Sequence, residues 1–491
     1  MITSKRYFQK KEYEKEPIFD RVYVVTLFTF YWKITVDTIN FAKKLVKEIN
    51  YRYPETNAYY GYMTRGCIRK CSFCAVPTLE PQYCEYIPLK QRIDEIKSKF
   101  GEQRNLLLLD NNVLASPRFP EIIQEIIDCG FEKGAAYTEP NQYAIALRNL
   151  QSGLNDIAYI NKLFCLNVDL LSRLKGEQEQ QFFNLLDENK LLNTKTVTKE
   201  NLLKVAGDIL PLYTKYVRKL PRQRYVDFNQ GVDARLFTEE NAMLLGKINI
   251  RPLRIAFDNI KDIKYYENAI RLSAKAGIKD FSNYLLYNFN DKPIDLYQRL
   301  KINIELCEEL DINIYSFPMK FHPITGEDRF NRDYLGRYWN RKYIRAIQAI
   351  LNAIKGKVGR GKEFFYKAFG ESEEQFFKIL EMPETFILYR FFFEWLGEVK
   401  NYSVSTMSWW NCWQETFSLL TEQETADLLE IIHQNKFSLQ TELYVDNTKF
   451  SKLLSFYTNF RDDVVTQGTE LYILKQEYDK NPTRKLRRKK R

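Results

Sequence analysis

Hydrophobic residues in the middle of the chain form short runs that alternate with helically spaced stripes. The runs are predicted to be strands, because they are rich in β-branched and aromatic residues and end in polar residues. The stripes, such as Ile263, Tyr266, Ile270 and Ala274, recur every three or four residues and indicate amphipathic helices. The predicted strands are residues 57–63, 106–109, 225–230, 253–257, 284–287 and 312–317.

This alternation predicts an α/β fold in which helices cover a parallel sheet. Right-handed crossovers would curl such a sheet into a barrel or part of one. Polar residues follow the strands at their carboxyl ends, where folds of this kind carry their sites. The alternation stops at about residues 135–222, which are predicted to be a helical insertion.

The two ends of the chain follow other patterns. A strand-like run from Val22 to Phe28 precedes a helical stripe from Ile34 to Ile49, which predicts a short N-terminal α/β unit. Beyond residue 330 the segments are aromatic-rich and helical. The predicted domains are residues 1–54, a barrel over 55–330 with its insertion, a helical region over 331–480 and a basic tail over 481–491.

The composition is that of a globular protein, with 45% hydrophobic and 28% charged residues in a chain of 491. This excludes a wholly disordered or fibrous chain. The longest uncharged apolar stretch, from Val22 to Trp32, has 11 residues, too few to cross the ~30 Å core of a bilayer. No apolar leader follows Met1, so a cytoplasmic protein with no membrane association is expected.

Positive charge is concentrated at the C-terminus. The net charge is +11, and seven of the last eight residues are basic, so the rest of the chain carries only +4. A tail of this kind attracts nucleic acid or anionic lipid, although a solvated terminus is the alternative. The cluster from Trp409 to Trp413 is compatible with base stacking, but core packing is more common for such aromatics.

Three of the eight cysteines form the motif Cys67-x3-Cys71-x2-Cys74, just after the first strand predicted for the barrel. Thiolates are ligands for iron–sulfur clusters and zinc. Three sulfurs leave one iron of a cubane cluster open to a small molecule. Structural zinc needs four ligands. Both histidines are distant in sequence, and Cys84 is the remaining candidate for a fourth ligand.

The segment from Thr64 to Pro77, including Phe73 before the third cysteine, resembles the radical S-adenosylmethionine (SAM) enzymes. It is most similar to a subgroup that often carries an N-terminal cobalamin-binding-like domain. The resemblance covers about residues 20–330 without the insertion. It implies a partial (β/α)6 TIM-like barrel and a 4Fe–4S cluster on the three cysteines. It also implies that SAM binds the open iron and is cleaved to a 5′-deoxyadenosyl radical.

The resemblance further implies an external electron donor of the flavodoxin or ferredoxin type. Residues 1–54 are interpreted as a truncated, Rossmann-like remnant of the N-terminal domain. No histidine precedes His322, which excludes cobalamin binding through an Asp-x-His-x-x-Gly motif in this unit. Histidine-free cobalamin binding stays open.

The resemblance also assigns SAM contacts to polar residues at strand ends. An ordinary strand-end turn and a loop salt bridge between Asp233 and Arg235 are the alternatives. Residues 287–290 replace a glycine-rich segment that many relatives place near adenine, and the mostly polar residues 288–291 lie at the end of the fifth predicted strand. No catalytic residue, substrate or oligomeric state is assigned. The residues predicted to bind SAM are Phe73, Asp110, Asn111, Asn112, Gln230, Asp233 and Arg235.

The leading hypothesis is therefore a radical SAM enzyme acting on an unknown substrate. One alternative is a nucleic-acid-binding iron–sulfur protein without SAM turnover, based on the basic tail and the tryptophan cluster. Another is an interaction protein stabilised by zinc.

Overall fold

The computed structural model describes residues 19–21, 46–48, 57–217, 220–400, 413, 415–435, 437, 448–458 and 465–480. The protein has a mixed α/β fold with small parallel sheets. It divides into two compact units. The first unit comprises Met1–Arg254 with Lys275–Ile278, and the second comprises Ile255–Ala274 with Lys279–Arg491.

The strands are short, and most belong to parallel pairs. In chain order they are β1 (Phe19–Arg21), β2 (Val46–Glu48), β3 (Ala58–Gly61), β4 (Asn105–Leu108), β5 (Ala136–Tyr137), β6 (Arg222–Gln223), β7 (Val226–Phe228), β8 (Leu253–Arg254), β9 (Asp280–Tyr287) and β10 (Asn313–Lys320).

Helices account for most of the remaining described residues. In the first unit they are α1 (Val76–Leu79), α2 (Lys90–Phe100), α3 (Phe119–Ile126), α4 (Gln142–Gln151), α5 (Asp156–Leu171), α6 (Glu177–Glu188), α7 (Lys199–Lys204), α8 (Ala206–Lys215) and α9 (Glu239–Leu245). Helix α10 (Ile263–Lys275) begins in the second unit, which also contains α11 (Pro293–Glu309), α12 (Arg341–Ala353), α13 (Lys362–Phe369), α14 (Glu373–Glu381), α15 (Glu384–Lys400), α16 (Glu422–Gln434), α17 (Thr448–Ser455) and α18 (Glu470–Lys480).

The main sheet of the first unit has the strand order β3-β4-β7, and both pairs are parallel. Tyr59, Leu106, Leu108 and Phe228 are buried, as expected for a sheet whose face is covered by helices. The parallel arrangement brings the carboxyl ends of β3, β4 and β7 to one edge. The segments that follow these three strands contain the predicted site residues.

Helices α4 to α8 lie between β5 and β6, which pair with each other in antiparallel fashion. These helices have a hydrophobic core of their own, which includes Tyr143, Leu163, Leu186 and Ile209. Residues 135–222 are therefore mostly helical, as the sequence pattern predicts.

In the second unit, β9 and β10 form a parallel pair along their full lengths. A chain of buried hydrogen bonds joins them to the helices: Asn283 Nδ2 donates to the Tyr266 hydroxyl, which donates to Asn303 Oδ1, and Asn303 Nδ2 donates to Ser316 Oγ. On β10, Ser316 also exchanges two backbone hydrogen bonds with Val358 in an isolated antiparallel bridge. Pro318 interrupts the backbone donors of the same strand.

The C-terminal helices of the second unit pack around an aromatic and aliphatic core. Phe386, Phe392, Trp413, Leu428 and Ile432 belong to it. The burial of Trp413 confirms the core-packing interpretation at that position, while Trp409 and Trp410 lie outside the described residues.

Some predicted features differ from the structure or lie beyond its described part. Val46–Glu48 pairs as a strand with Phe19–Arg21, although the stripe from Ile34 to Ile49 predicts a helix there. The predicted strand from Val22 to Phe28 and the basic tail lie outside the described residues. Within the described ranges the strands form separate sheets and no closed barrel, and no helix has the length and apolar character needed to cross a bilayer.

Candidate functional site

The segment between β3 and the first cysteine is fixed by Asp110, which follows β4. Asp110 Oδ1 accepts hydrogen bonds from the Met63 backbone N–H at 3.0 Å, from the Thr64 backbone N–H and from Thr64 Oγ1 at 2.7 Å. The carboxyl group is fully buried, and this desolvation raises the pKa of Asp110 to about 6 even though the Thr64 hydrogen bonds oppose the shift. Asp110 therefore ties the end of β4 to the segment that leads into the cysteine loop, which is defined here as residues 66–76.

The three thiols of the cysteine loop are partly exposed. Cys67 Sγ accepts the Arg69 backbone N–H at 3.4 Å, and Cys74 Sγ accepts the Val76 backbone N–H at 3.5 Å. None of the described cysteines is in a disulfide, and no three metal-ligating side chains of the described residues are grouped closely enough to hold an ion. Two of the thiols thus accept hydrogen bonds from backbone amides of their own loop.

Glu80, which is not predicted from the sequence, is the central acidic residue beside this loop. Its Oε2 accepts the Gly66 backbone N–H at 2.7 Å and Asn111 Nδ2 at 2.9 Å. Its Oε1 forms an ion pair with Arg65. No periodicity or motif marks Glu80, because its role depends on contacts between segments distant in sequence.

A second carboxylate joins the cysteine loop to the segment after β7. Asp233 Oδ2 accepts Arg69 Nε at 2.9 Å, and Arg235 binds both oxygens of the same carboxylate, at 2.7 and 3.0 Å. Burial raises the pKa of Asp233, but the hydrogen bonds from Arg235 and Arg69 outweigh it and hold the pKa below its ordinary value. The Asp233–Arg235 salt bridge weighed as an alternative is thus present, and Arg69 shares it.

The remaining predicted SAM-binding residues have different surroundings. Asn112 is buried, and its Nδ2 donates to Cys67 Sγ at 3.6 Å, whereas its Oδ1 has no hydrogen-bond partner among the described residues. Gln230 is exposed and donates to its neighbour Asn229. Phe73 is partly buried within the cysteine loop.

Cys84 lies nearer to the cysteine loop than its position in the sequence indicates. Its backbone forms an antiparallel bridge with Arg65, with hydrogen bonds of 3.1 and 2.9 Å. Its thiol is exposed and donates to the Tyr86 carbonyl oxygen at 3.6 Å. The chain therefore returns alongside the residue that precedes Gly66 and Cys67.

In the second unit, the polar residues that follow β9 stabilise the fold. The buried Asn288 amide donates to the carbonyl oxygens of Phe321 and Tyr334 and accepts the Gly336 backbone N–H at 2.8 Å. Asp291 Oδ2 lies 3.3 Å from Nη2 of the fully buried Arg299. These side chains are engaged within the protein, so nothing assigns residues 288–291 to ligand binding.

Comparison with known proteins adds little to this geometry. No protein-family description and no curated protein matches the sequence. Among solved structures, the chain is similar to a radical S-adenosylmethionine methyltransferase, TsrM from Kitasatospora setae, with cobalamin and a 4Fe–4S cluster bound. The TM-score is 0.28 and the identity 12%, and the match covers 54% of this chain and 34% of that one. The chain therefore spans about a third of that protein, and similarity at this level does not establish a shared fold.

Proposed function

We propose that this protein is a radical SAM enzyme in which Cys67, Cys71 and Cys74 hold a 4Fe–4S cluster. The observation that carries the proposal is the Cys-x3-Cys-x2-Cys motif directly after β3, at the carboxyl edge of a parallel sheet. A partial (β/α)6 barrel over residues 55–330 remains part of this proposal.

The residues around the cysteine loop fit such a cluster and its ligand in their chemistry. Three thiols within eight residues supply the soft donors that iron requires. Asp110 Oδ2 and Asn112 Oδ1 are buried acceptors without a hydrogen-bond partner in the described structure. Buried acceptors are normally satisfied, and the ammonium group of SAM would supply the missing donors.

When bound, a reduced 4Fe–4S cluster would supply the electron for the cleavage of SAM to methionine and a 5′-deoxyadenosyl radical. The protein's own residues would bind and orient SAM. Asp110 and Asn112 would accept hydrogen bonds from its ammonium group. Gln230 and Arg235 would lie on its carboxylate side, with Asp233 holding the Arg69 and Arg235 guanidinium groups in place.

Two partners belong to the proposal. An external donor of the flavodoxin or ferredoxin type would deliver the electron, because the chain contains no second cysteine motif of this kind. The basic tail would contact nucleic acid through its seven Lys and Arg residues, and this contact would weaken as salt rises.

The bridge between Arg65 and Cys84 favours one competing function, a structural zinc site. It brings a fourth cysteine beside the loop, and four thiolates can close a tetrahedral zinc site. In that case no coordination position would be open for SAM.

Anaerobic reconstitution with iron and sulfide tests the proposal. We expect ~4 irons per chain, as a site-differentiated cubane requires, and dithionite-dependent formation of 5′-deoxyadenosine from SAM. Cys71→Ala should lose the iron while keeping its helical circular dichroism, whereas Cys84→Ala should keep both iron and SAM cleavage. Zinc binding that requires Cys84, without iron, would overturn the proposal in favour of the structural site.

A further inference from the structure

Glu80 lies six residues after Cys74, at the end of α1, and has no role in the resemblance to radical SAM enzymes. We propose that Glu80 is a positioning residue that fixes the start of the cysteine loop to the carboxyl end of β4. It acts through the Gly66 backbone and the Asn111 side chain. Its consequence for metal binding rests on the function proposed above.

The contacts of Glu80 require a carboxylate. Three donors converge on it: the Gly66 N–H, the Asn111 amide and the Arg65 guanidinium. An ionised carboxylate has two oxygens that only accept hydrogen bonds, whereas a glutamine amide has one accepting oxygen and an NH2 group that donates. In Glu80→Gln, an NH2 group at the Oε1 position would lose the Arg65 ion pair and leave only uncharged hydrogen bonds to Gly66 and Asn111. At the Oε2 position it would face both of these donors and lose them.

The hydrogen bond from the Gly66 N–H to Glu80 affects Cys67 through the backbone conformation of Gly66. Gly66 is buried and has a φ of +74°, a left-handed conformation that favours glycine. Its N–H is held by Glu80, and Cys67 is the next residue. The conformation of Gly66 thus sets the direction in which the Cys67 side chain leaves the backbone.

This geometry also changes the assignment of Asn111. The resemblance to radical SAM enzymes implies a SAM contact there, yet the Asn111 amide donates to Glu80 Oε2 at 2.9 Å. We therefore assign Asn111 to holding Glu80, and leave the SAM ammonium contacts to Asp110 and Asn112. Asn111 and Glu80 should then behave as a coupled pair.

The first experiment uses the full chain without added metal, so its result does not depend on the cluster. Hydrogen exchange of a peptide covering residues 62–72 and the alkylation rate of Cys67 are measured in wild type, Glu80→Gln, Asn111→Ala and the double variant. Loss of a hydrogen bond to a charged group should speed both rates about tenfold or more. The double variant should resemble Glu80→Gln, because both substitutions disrupt one set of contacts.

Glu121→Gln is the matched control. Glu121 is an exposed glutamate of the first unit that also pairs with an arginine, Arg118, but it lies outside the cysteine loop. It should leave both rates at the wild-type value. Far-UV circular dichroism checks that each variant is folded, and if Glu80→Gln fails this check, Asn111→Ala decides the question because it keeps the carboxylate.

The second experiment measures iron content and the electron paramagnetic resonance spectrum after reconstitution. We expect less iron per chain in Glu80→Gln, and a SAM-induced change of the spectrum that is altered or absent. Wild-type rates in both Glu80→Gln and Asn111→Ala would refute the positioning role even if the enzyme is active. Faster rates in these variants, with a wild-type protein that never binds iron, would uphold the positioning role and refute the proposed function.

Discussion

Lys342 offers a stability prediction that is independent of the proposed function. It lies near the start of α12 with no exposed surface, and its Nζ donates to the Met382 carbonyl oxygen at 2.6 Å. Burial lowers the pKa of Lys342 from 10.5 to about 7, although Glu384 and Glu381 act in the opposite direction. The folded protein therefore releases this proton at a much lower pH than the unfolded chain.

The sign and size of the effect follow from linkage. Between pH 7 and 10.5 the unfolded chain binds one more proton at this site, so the free energy of unfolding rises with pH by about 1.4 kcal/mol per pH unit. Over the whole window the term reaches about 5 kcal/mol as an upper bound. From pH 7.5 to 9 the contribution of Lys342 should be about 2 kcal/mol.

Urea denaturation followed by tryptophan fluorescence measures this slope. Five of the six tryptophans belong to the second unit, so the signal reports its unfolding. Lys342→Met keeps a similar volume without the charge and should reduce the rise in stability between pH 7.5 and 9 by about 2 kcal/mol. Lys378→Met removes an exposed lysine paired with Glu374 and should leave the slope unchanged. Equal slopes in wild type and Lys342→Met would refute the reasoning.

Three further predictions concern other parts of the chain. Gly66→Ala should destabilise the protein by about 1–2 kcal/mol more than Gly153→Ala. Both glycines have positive φ, but a Cβ at Gly66 would meet backbone oxygens, whereas one at Gly153 would meet open space. Equal melting temperatures of the two variants would contradict this. Arg299→Met should lower the free energy of unfolding in urea by about 3–5 kcal/mol, because Arg299 is fully buried and donates to the carbonyl oxygens of four residues. Arg271→Met, which breaks an exposed ion pair with Glu309, should lower it by under about 1 kcal/mol. Deleting residues 484–491 should flatten the salt dependence of single-stranded DNA binding by about 0.7 in log–log slope per lost phosphate contact, and an unchanged slope would exclude the tail as the binding element.

The sequence predicts the positions of six strands, because each contains a short hydrophobic run that must be buried on at least one face; these are β3, β4, β7, β8, β9 and β10. Strand β9 shows where such reasoning fails: the pattern predicts residues 284–287, whereas the strand is Asp280–Tyr287. Ser282 and Asn283 are polar residues that lie outside the predicted strand. They are buried in a strand, where Asn283 Nδ2 donates to the Tyr266 hydroxyl, a contact that only the folded chain reveals.

The residues of the candidate site also differ in how far the sequence predicts them. The cysteine motif and Asp110 can be found from spacing and from strand ends, and the Asp233–Arg235 pair is local enough to be foreseen. Glu80 could not be predicted, because its importance comes from contacts with Gly66 and Asn111. Cys84 is a candidate ligand in the sequence, but its bridge to Arg65 beside the cysteine loop is visible only in the folded chain. Residue pairs of this kind follow no period along the chain.

The bridge between Ser316 and Val358 has a consequence for the behaviour of the protein at high concentration. A strand with open backbone groups along one side invites edge-to-edge association with another copy. On β10, Val358 already occupies backbone groups of Ser316, and Pro318 offers no N–H at all. A strand from another copy could therefore not form a continuous row of backbone hydrogen bonds with β10, which protects the protein against aggregation through this strand.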